Sequence, residues 1–246
     1  HNNVYLSQLS GQKEVQFDLP KFHWIGSLEN DDMVMFGRAD APFKSVGEII
    51  RAKEPPKCGS KGVGSSDYVM SKILEETVGA KFNVVTGYQG GSEVDLAVER
   101  GEIQCRSLSA EAYFAREPFF TWRKKGFVRE LVHGGRNKDE RLPGVPSVYE
   151  IMNQYNTPES GRRLAVTVLT SGDFHRPYVA PPNMRPEHVT ILREAFIKTT
   201  KDPAFLAEAK KKRLDIDPSG GEEMATLAKE VMSQPPEVIE RIKKLM

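Results

Sequence analysis

Cysteine is scarce in this chain of 246 residues; there are only two, Cys58 and Cys105. They do not have the spacing of a zinc site. Charge of either sign is not in excess, with 35 basic against 34 acidic residues, so the electrostatic footprint of a nucleic-acid binder is missing. No apolar run approaches the ~18–20 residues that would cross a bilayer. The five histidines, His1, His23, His133, His175 and His188, form no His-x-x-x-His or His-Glu-x-x-His pair, and no metal ion is expected. A Gly-x-Ser-x-Gly nucleophile elbow is absent. Gly59 and Gly64 have the glycine spacing of a phosphate-binding loop, but Ser65 stands where its lysine belongs. Asp67 likewise occupies the third glycine's place in a dinucleotide fingerprint. Nucleotide cofactors and visible catalytic machinery are therefore not expected.

What is present is concentrated in residues 57–109. Twice a short β-like run enters a turn rich in glycine and serine, and the turn opens a helix. The first turn is Ser60-Lys61-Gly62-Val63-Gly64-Ser65-Ser66; the second is Tyr88-Gln89-Gly90-Gly91-Ser92. A third run, Ile103–Ser109, closes a βαβαβ unit, which requires parallel strands with helical crossovers. Gly62 and Gly64 allow a tight backbone, and Ser65 or Ser66 can cap the first helix. Val69, Met70, Ile73 and Leu74 recur at helical spacing, and Gly79 is a good stop. Ser92-Glu93-Val94-Asp95 resembles a capping box. Two helix N-termini then leave the carboxyl edge of one sheet, where free N–H groups and the helix dipole favour an anion. The plainer reading is that the glycines only make tight βα turns.

Cys58 and Cys105 fall near the ends of the first and third strands of this unit, which neighbour each other in the usual doubly wound order. A disulfide suited to an oxidising compartment and a pair of free buried thiols both remain open. Elsewhere strands and helices alternate, which indicates an α/β fold. Strands are expected at Phe22–Ser27, Met33–Phe36, Phe127–Val132 and Tyr178–Ala180. Helices are expected near Val4–Leu9, after Ser45, at Pro158–Leu169, and in a helical tail covering 187–200, 203–212, 222–232 and 236–245.

Four motifs in order carry a family resemblance: Lys57-Cys58-Gly59-Ser60-Lys61-Gly62-Val63-Gly64-Ser65-Ser66, Tyr88-Gln89-Gly90-Gly91, Leu142-Pro143-Gly144-Val145-Pro146-Ser147, and Ala180-Pro181-Pro182. Together they resemble the substrate-binding proteins of tripartite tricarboxylate transporters, the Bug-type periplasmic receptors, over roughly residues 15 to 245. The resemblance implies a two-lobed, Venus-flytrap fold of the periplasmic-binding-protein type. Lobe 1 would comprise 1–40 and 173–246, and lobe 2 would comprise 41–172. It also implies a small carboxylate held between the lobes by backbone N–H groups, no catalysis, a periplasmic setting and membrane permease partners. Gly62, Val63, Gly64, Ser65 and Ser66 fall on the second-lobe clamp. Tyr88, Gln89, Gly90 and Gly91 fall on the neighbouring turn, and Ser107, Leu108 and Ser109 on the third loop.

The chain departs from the family pattern in three places. It opens with His1-Asn2-Asn3 rather than Met, and about a quarter of a typical member is expected ahead of it, so lobe 1 is expected to be incomplete and to favour a homodimer. The family's histidine after the two hydroxyl residues is Asp67, and its Lys/Arg after the tyrosine is Gln89. Arg106, at the mouth of the third strand, is a candidate for the missing ligand cation, because a guanidinium holds a carboxylate bidentately. The alternative is that it points to solvent or pairs with a neighbouring acid. Two other functions share these features: the effector-sensing domain of a transcriptional regulator, and an α/β enzyme acting on an anionic metabolite.

Overall fold

The computed structural model describes residues 4–13, 15–170, 172–212, 214 and 216–245. In chain order the elements are α1 (Val4–Leu9), β1 (His23–Ser27), β2 (Met33–Arg38), α2 (Val46–Arg51), β3 (Lys57–Gly59), α3 (Ser66–Val78), β4 (Asn83–Val85), α4 (Gly91–Glu99), β5 (Cys105–Ser109), α5 (Ala110–Ala115), α6 (Phe119–Lys124) and β6 (Val128–His133). They continue with α7 (Val148–Gln154), α8 (Glu159–Leu169), β7 (Pro177–Ala180), α9 (Pro186–Thr200), α10 (Pro203–Lys211), β8 (Ser219–Gly220), α11 (Gly221–Met232) and α12 (Pro236–Leu245). The chain divides into two compact units. One comprises His1–Asp31 and Thr170–Lys243, the other Asp32–Leu169 and Lys244–Met246.

The first unit is built on a three-stranded antiparallel sheet in the order β7-β1-β8. Trp24 of β1 is buried against Phe174, which also meets Tyr5 of α1 at 5.2 Å between ring centres. A smaller cluster of Ile25, Ala180 and Val189 seats α9 on the sheet, supported by Met184 and Phe196. Arg193 fixes that helix by donating from Nε to the Trp24 carbonyl at 2.8 Å. His175 lies between two buried acids, with Nδ1 3.2 Å from Asp31 and Nε2 3.7 Å from Glu29.

The second unit holds a five-stranded sheet in the order β4-β3-β5-β2-β6. β3 runs parallel to β4 and to β5, as helical crossovers demand, while β2 runs antiparallel to β5 and β6. β2 is covered on both faces, which explains its unbroken run Met33-Val34-Met35-Phe36, with Val34, Met35 and Phe36 fully buried. Phe36 packs with Tyr113, Phe119 and Trp122 of α5 and α6. α3 buries Val69, Met70, Ile73 and Leu74, and the Thr157 hydroxyl ahead of α8 donates to the Thr77 carbonyl at 2.8 Å.

The unit boundaries differ from the division of 1–40 and 173–246 against 41–172. Met33–Arg38 is a central strand of the second sheet, so the chain changes unit after Asp31; it returns at Thr170. The reason is pairing: β2 hydrogen-bonds over its whole length with β5 and β6, and sequence proximity to β1 does not compete. The two-residue strand β8, which pairs with Gly26 and Ser27, was also not expected.

Cys58 and Cys105 face each other across the β3–β5 pair with Cα atoms 4.4 Å apart, and the structure joins them as a disulfide. The bond spans a sequence separation of 47 residues. On the loop-entropy account such a closure stabilises by roughly 4 kcal/mol. Reduction with dithiothreitol is expected to lower the calorimetric melting temperature by more than about 5 °C. An unchanged melting temperature together with two free thiols by mass spectrometry would contradict the bond.

Candidate anion site at two helix tips

The candidate residues lie in the second unit, at the carboxyl ends of β3, β4 and β5. After β3 the chain is tied to its neighbour by Ser60 N–H donating to the Val85 carbonyl at 2.9 Å. It then winds around its own Gly62 carbonyl, which accepts from the Ser65 hydroxyl at 2.7 Å and the Ser65 N–H at 3.2 Å. The Ser60 hydroxyl accepts from Gly62 N–H at 3.1 Å and lies 3.0 Å from the Ser65 hydroxyl. This winding requires φ values of +149° at Gly62 and +77° at Gly64, the second in the left-handed region that a Cβ opposes.

Ser65 occupies the N-cap of α3, but its hydroxyl is turned into the loop and makes no cap. The first turn of α3 therefore lacks a side-chain acceptor. The second tip repeats this by other means. α4 starts at Gly91 with Gly90 as N-cap, and glycine has no side chain to offer. Ser92 is thus inside the helix rather than capping it, Asp95 accepts from Arg106, and the expected Ser92–Asp95 box is not made. Glu93 does reach back, but to Gln89 N–H at 2.7 Å. A Cβ built at Gly62 or Gly90 would meet nothing within 4 Å, so space is open in front of both turns. Val63 is 59% exposed beside the first. Uncapped N–H groups with a dipole behind them are suited to solvating negative oxygen.

One side chain links the tips. Arg106 of β5 is buried, with Nη1 donating to the Gly91 carbonyl at 2.8 Å and to the Asp95 carboxylate. Its Nε lies 3.5 Å from the carboxylate of Asp67, which is in the first turn of α3. A Cβ at Gly91 would stand 3.0 Å from Nη2, so glycine there admits the guanidinium. Burial pushes the carboxyls of Asp67 and Asp95 above the usual aspartate range, and the Arg106 charge opposes that shift in both.

The structure brings together Gly62, Val63, Gly64, Ser65, Ser66, Gly90 and Gly91 around the two tips. The other candidates turn elsewhere. Tyr88 packs on the core beside Val85, and burial raises its hydroxyl pKa. The Gln89 side chain is exposed. The Ser109 hydroxyl accepts from Ala112 N–H at 3.3 Å and caps α5. Ser107 is fully buried, and its hydroxyl has no hydrogen-bond partner among the described residues. Arg106 is occupied by acids of its own chain, which is the alternative left open for it. Asp67 lies in the first turn of α3 and Asp95 is the fifth residue of α4, and both face Arg106. The available signal was Arg106 itself, a cation in a strand that is otherwise buried and so obliged to find partners. A separate cleft of about 630 Å³ forms after β6, lined by His133 and the Leu142–Pro146 stretch. Burial lowers the pKa of His133 there.

A model of the family described as "Tripartite tricarboxylate transporter family receptor" matches residues 10–244. The chain belongs to that family. TctC receptors are binding proteins and not enzymes. A TctC solute-binding protein from Polaromonas, solved without ligand, superposes with a TM-score of 0.71 at 18% identity, covering 99% of this chain and 74% of that one. An R. palustris protein solved with adipate gives 0.62 at 13% identity over 99% and 76%. MatC from Rhodopseudomonas palustris with bound malate gives 0.58 at 14% identity over 97% and 76%. At these identities the likeness establishes the α/β fold of TctC periplasmic binding proteins. No curated protein matches the chain.

The two tips make opposite predictions for stability. Gly64→Ala, at φ +77°, is expected to cost roughly 1–2 kcal/mol in urea unfolding. Gly90→Ser, at φ −164° with open space at Cβ, is expected to gain a few tenths of a kcal/mol by adding a cap. Equal destabilisation by both would contradict the described turns.

Proposed function

We propose that this TctC-family chain captures a small carboxylate for a secondary transporter of the tripartite tricarboxylate type and performs no chemistry on it. The observation that carries the reading is the pair of uncapped helix starts, α3 and α4, linked through one buried arginine. Their N–H groups are donors without competing side-chain acceptors, and the space before Gly62 and Gly90 is open. The adipate and malate held by two proteins of the same fold support a dicarboxylate as the ligand class. Discrimination would come from the desolvation of polar groups: a ligand with an amide in place of the carboxylate leaves the N–H donors poorly matched.

The setting we assign is the periplasm, with membrane permease subunits as the partners that take the ligand onward. A disulfide between Cys58 and Cys105 fits an oxidising compartment. No helix among the described residues is long and apolar enough to cross a membrane. Homodimerisation through the first unit belongs to the same reading, since Ile191 and Leu192 on α9 are 61% and 41% exposed.

Isothermal titration of the chain with adipate and malate, against adipamide and malamide, tests the function. Saturable binding of at least one dicarboxylate, with the matching diamide at least about tenfold weaker, is expected. NMR of the recovered ligand should show it unchanged. Equal affinity for acid and amide, or conversion of the ligand, would contradict the proposal.

A further inference from the structure

Arg106 has features that a ligand-binding cation would not need. Its side chain is only 5% exposed. It faces two acids, Asp95 through Nη1 and Asp67 through Nε, so its charge is more than balanced before any ligand arrives. Asp67 is itself completely enclosed, and besides Arg106 only Lys61 of the preceding turn is seen to act on its carboxylate among the described residues. The Phe119 ring closes the other side, 5.8 Å from the guanidinium carbon. The three elements joined are the first turn of α3, the start of α4 and the start of β5.

We infer that Arg106 is a positioning residue: it clamps the first turns of α3 and α4 in one register so that their N–H groups address a single anion, and it does not touch the anion itself. The inference rests on the carboxylate-receptor reading above. Physically, the guanidinium is a planar fork: Nη1 donates to the Gly91 carbonyl and the Asp95 carboxylate on one helix, and Nε pairs electrostatically with the Asp67 carboxylate on the other at 3.5 Å. A lysine would offer one compact charge and could not span both. Each acid thus controls one arm. Asp67 ties the α3 turn, and Asp95, with the Gly91 carbonyl, ties the α4 turn. Arg106 then makes no contact with the anion, whose attraction comes from the helix N–H groups and dipoles.

Amide hydrogen exchange by NMR on the full chain tests the clamp without any ligand. Asp67→Asn is expected to speed exchange at the hydrogen-bonded amides of the first segment, Gly62, Ser65 and Val69, and leave those of the second, Glu93 and Val94, unchanged. Asp95→Asn is expected to do the reverse. Arg106→Gln is expected to speed both segments by at least about tenfold while Leu131–His133 of β6 stay protected, and Arg106→Lys is expected to rescue at most one segment. A uniform rise across the unit, or acceleration of the same segment by both aspartate variants, would overturn the clamp. Should Arg106→Gln fail to fold, the two aspartate variants decide alone.

Titration with adipate and malate supplies the second readout. A clamp predicts weaker binding in Asp95→Asn, because the α4 turn loosens. A ligand cation predicts tighter binding, because the guanidinium is freed; that result would overturn the inference. If the unaltered chain binds neither acid, the receptor reading fails, and the exchange pattern still decides whether Arg106 holds the two turns.

Discussion

A buried guanidinium with two carboxylates is the constraint on which the second unit's site depends. Placing Arg106 in the central strand β5 costs several kcal/mol of desolvation unless partners are supplied. The fold supplies them from the starts of both crossover helices, Asp67 on α3 and Asp95 on α4. That requirement fixes where the two turns must stand. It also accounts for glycine at position 91, where a Cβ would press on the guanidinium.

The consequence for function follows from what is withheld. Helix starts are ordinarily quenched by a serine, threonine or aspartate accepting from the first turn. Here Ser65 spends its hydroxyl on Gly62, and Gly90 has no side chain at all. The acids near both tips are committed to Arg106, and Glu93 serves the Gln89 N–H. The first turns are left without side-chain caps, and space is open beside Gly62 and Gly90. Such an arrangement suits the carboxylate capture proposed above.

Much of this was legible in the residues. The βαβαβ unit and its glycine turns could be placed because hydrophobic spacing and Gly/Ser punctuation coincide at residues 57–109. The adjacency of Cys58 and Cys105 followed from the usual strand order. Four short motifs in order were enough to name the family, although each is weak alone. What stayed hidden depended on contacts distant in sequence. β2 looks local to β1, yet it pairs with strands that follow it by about seventy and a hundred residues, so no local pattern assigns it to the second unit. The direction of the Ser65 hydroxyl is decided by a loop conformation that two positive-φ glycines create. The partners of Arg106 were present as acids in the helix starts, but their helical phase relative to β5 appears only once the helices are packed.

The most direct measurement is amide chemical-shift mapping of the whole chain during addition of malate. The account predicts that residues 66–68 and 91–93 shift together along one saturation curve, with the Arg106 side-chain resonances nearly still. Shifts confined to one helix start, or a large movement of the Arg106 guanidinium signal with the backbone unaffected, would contradict it.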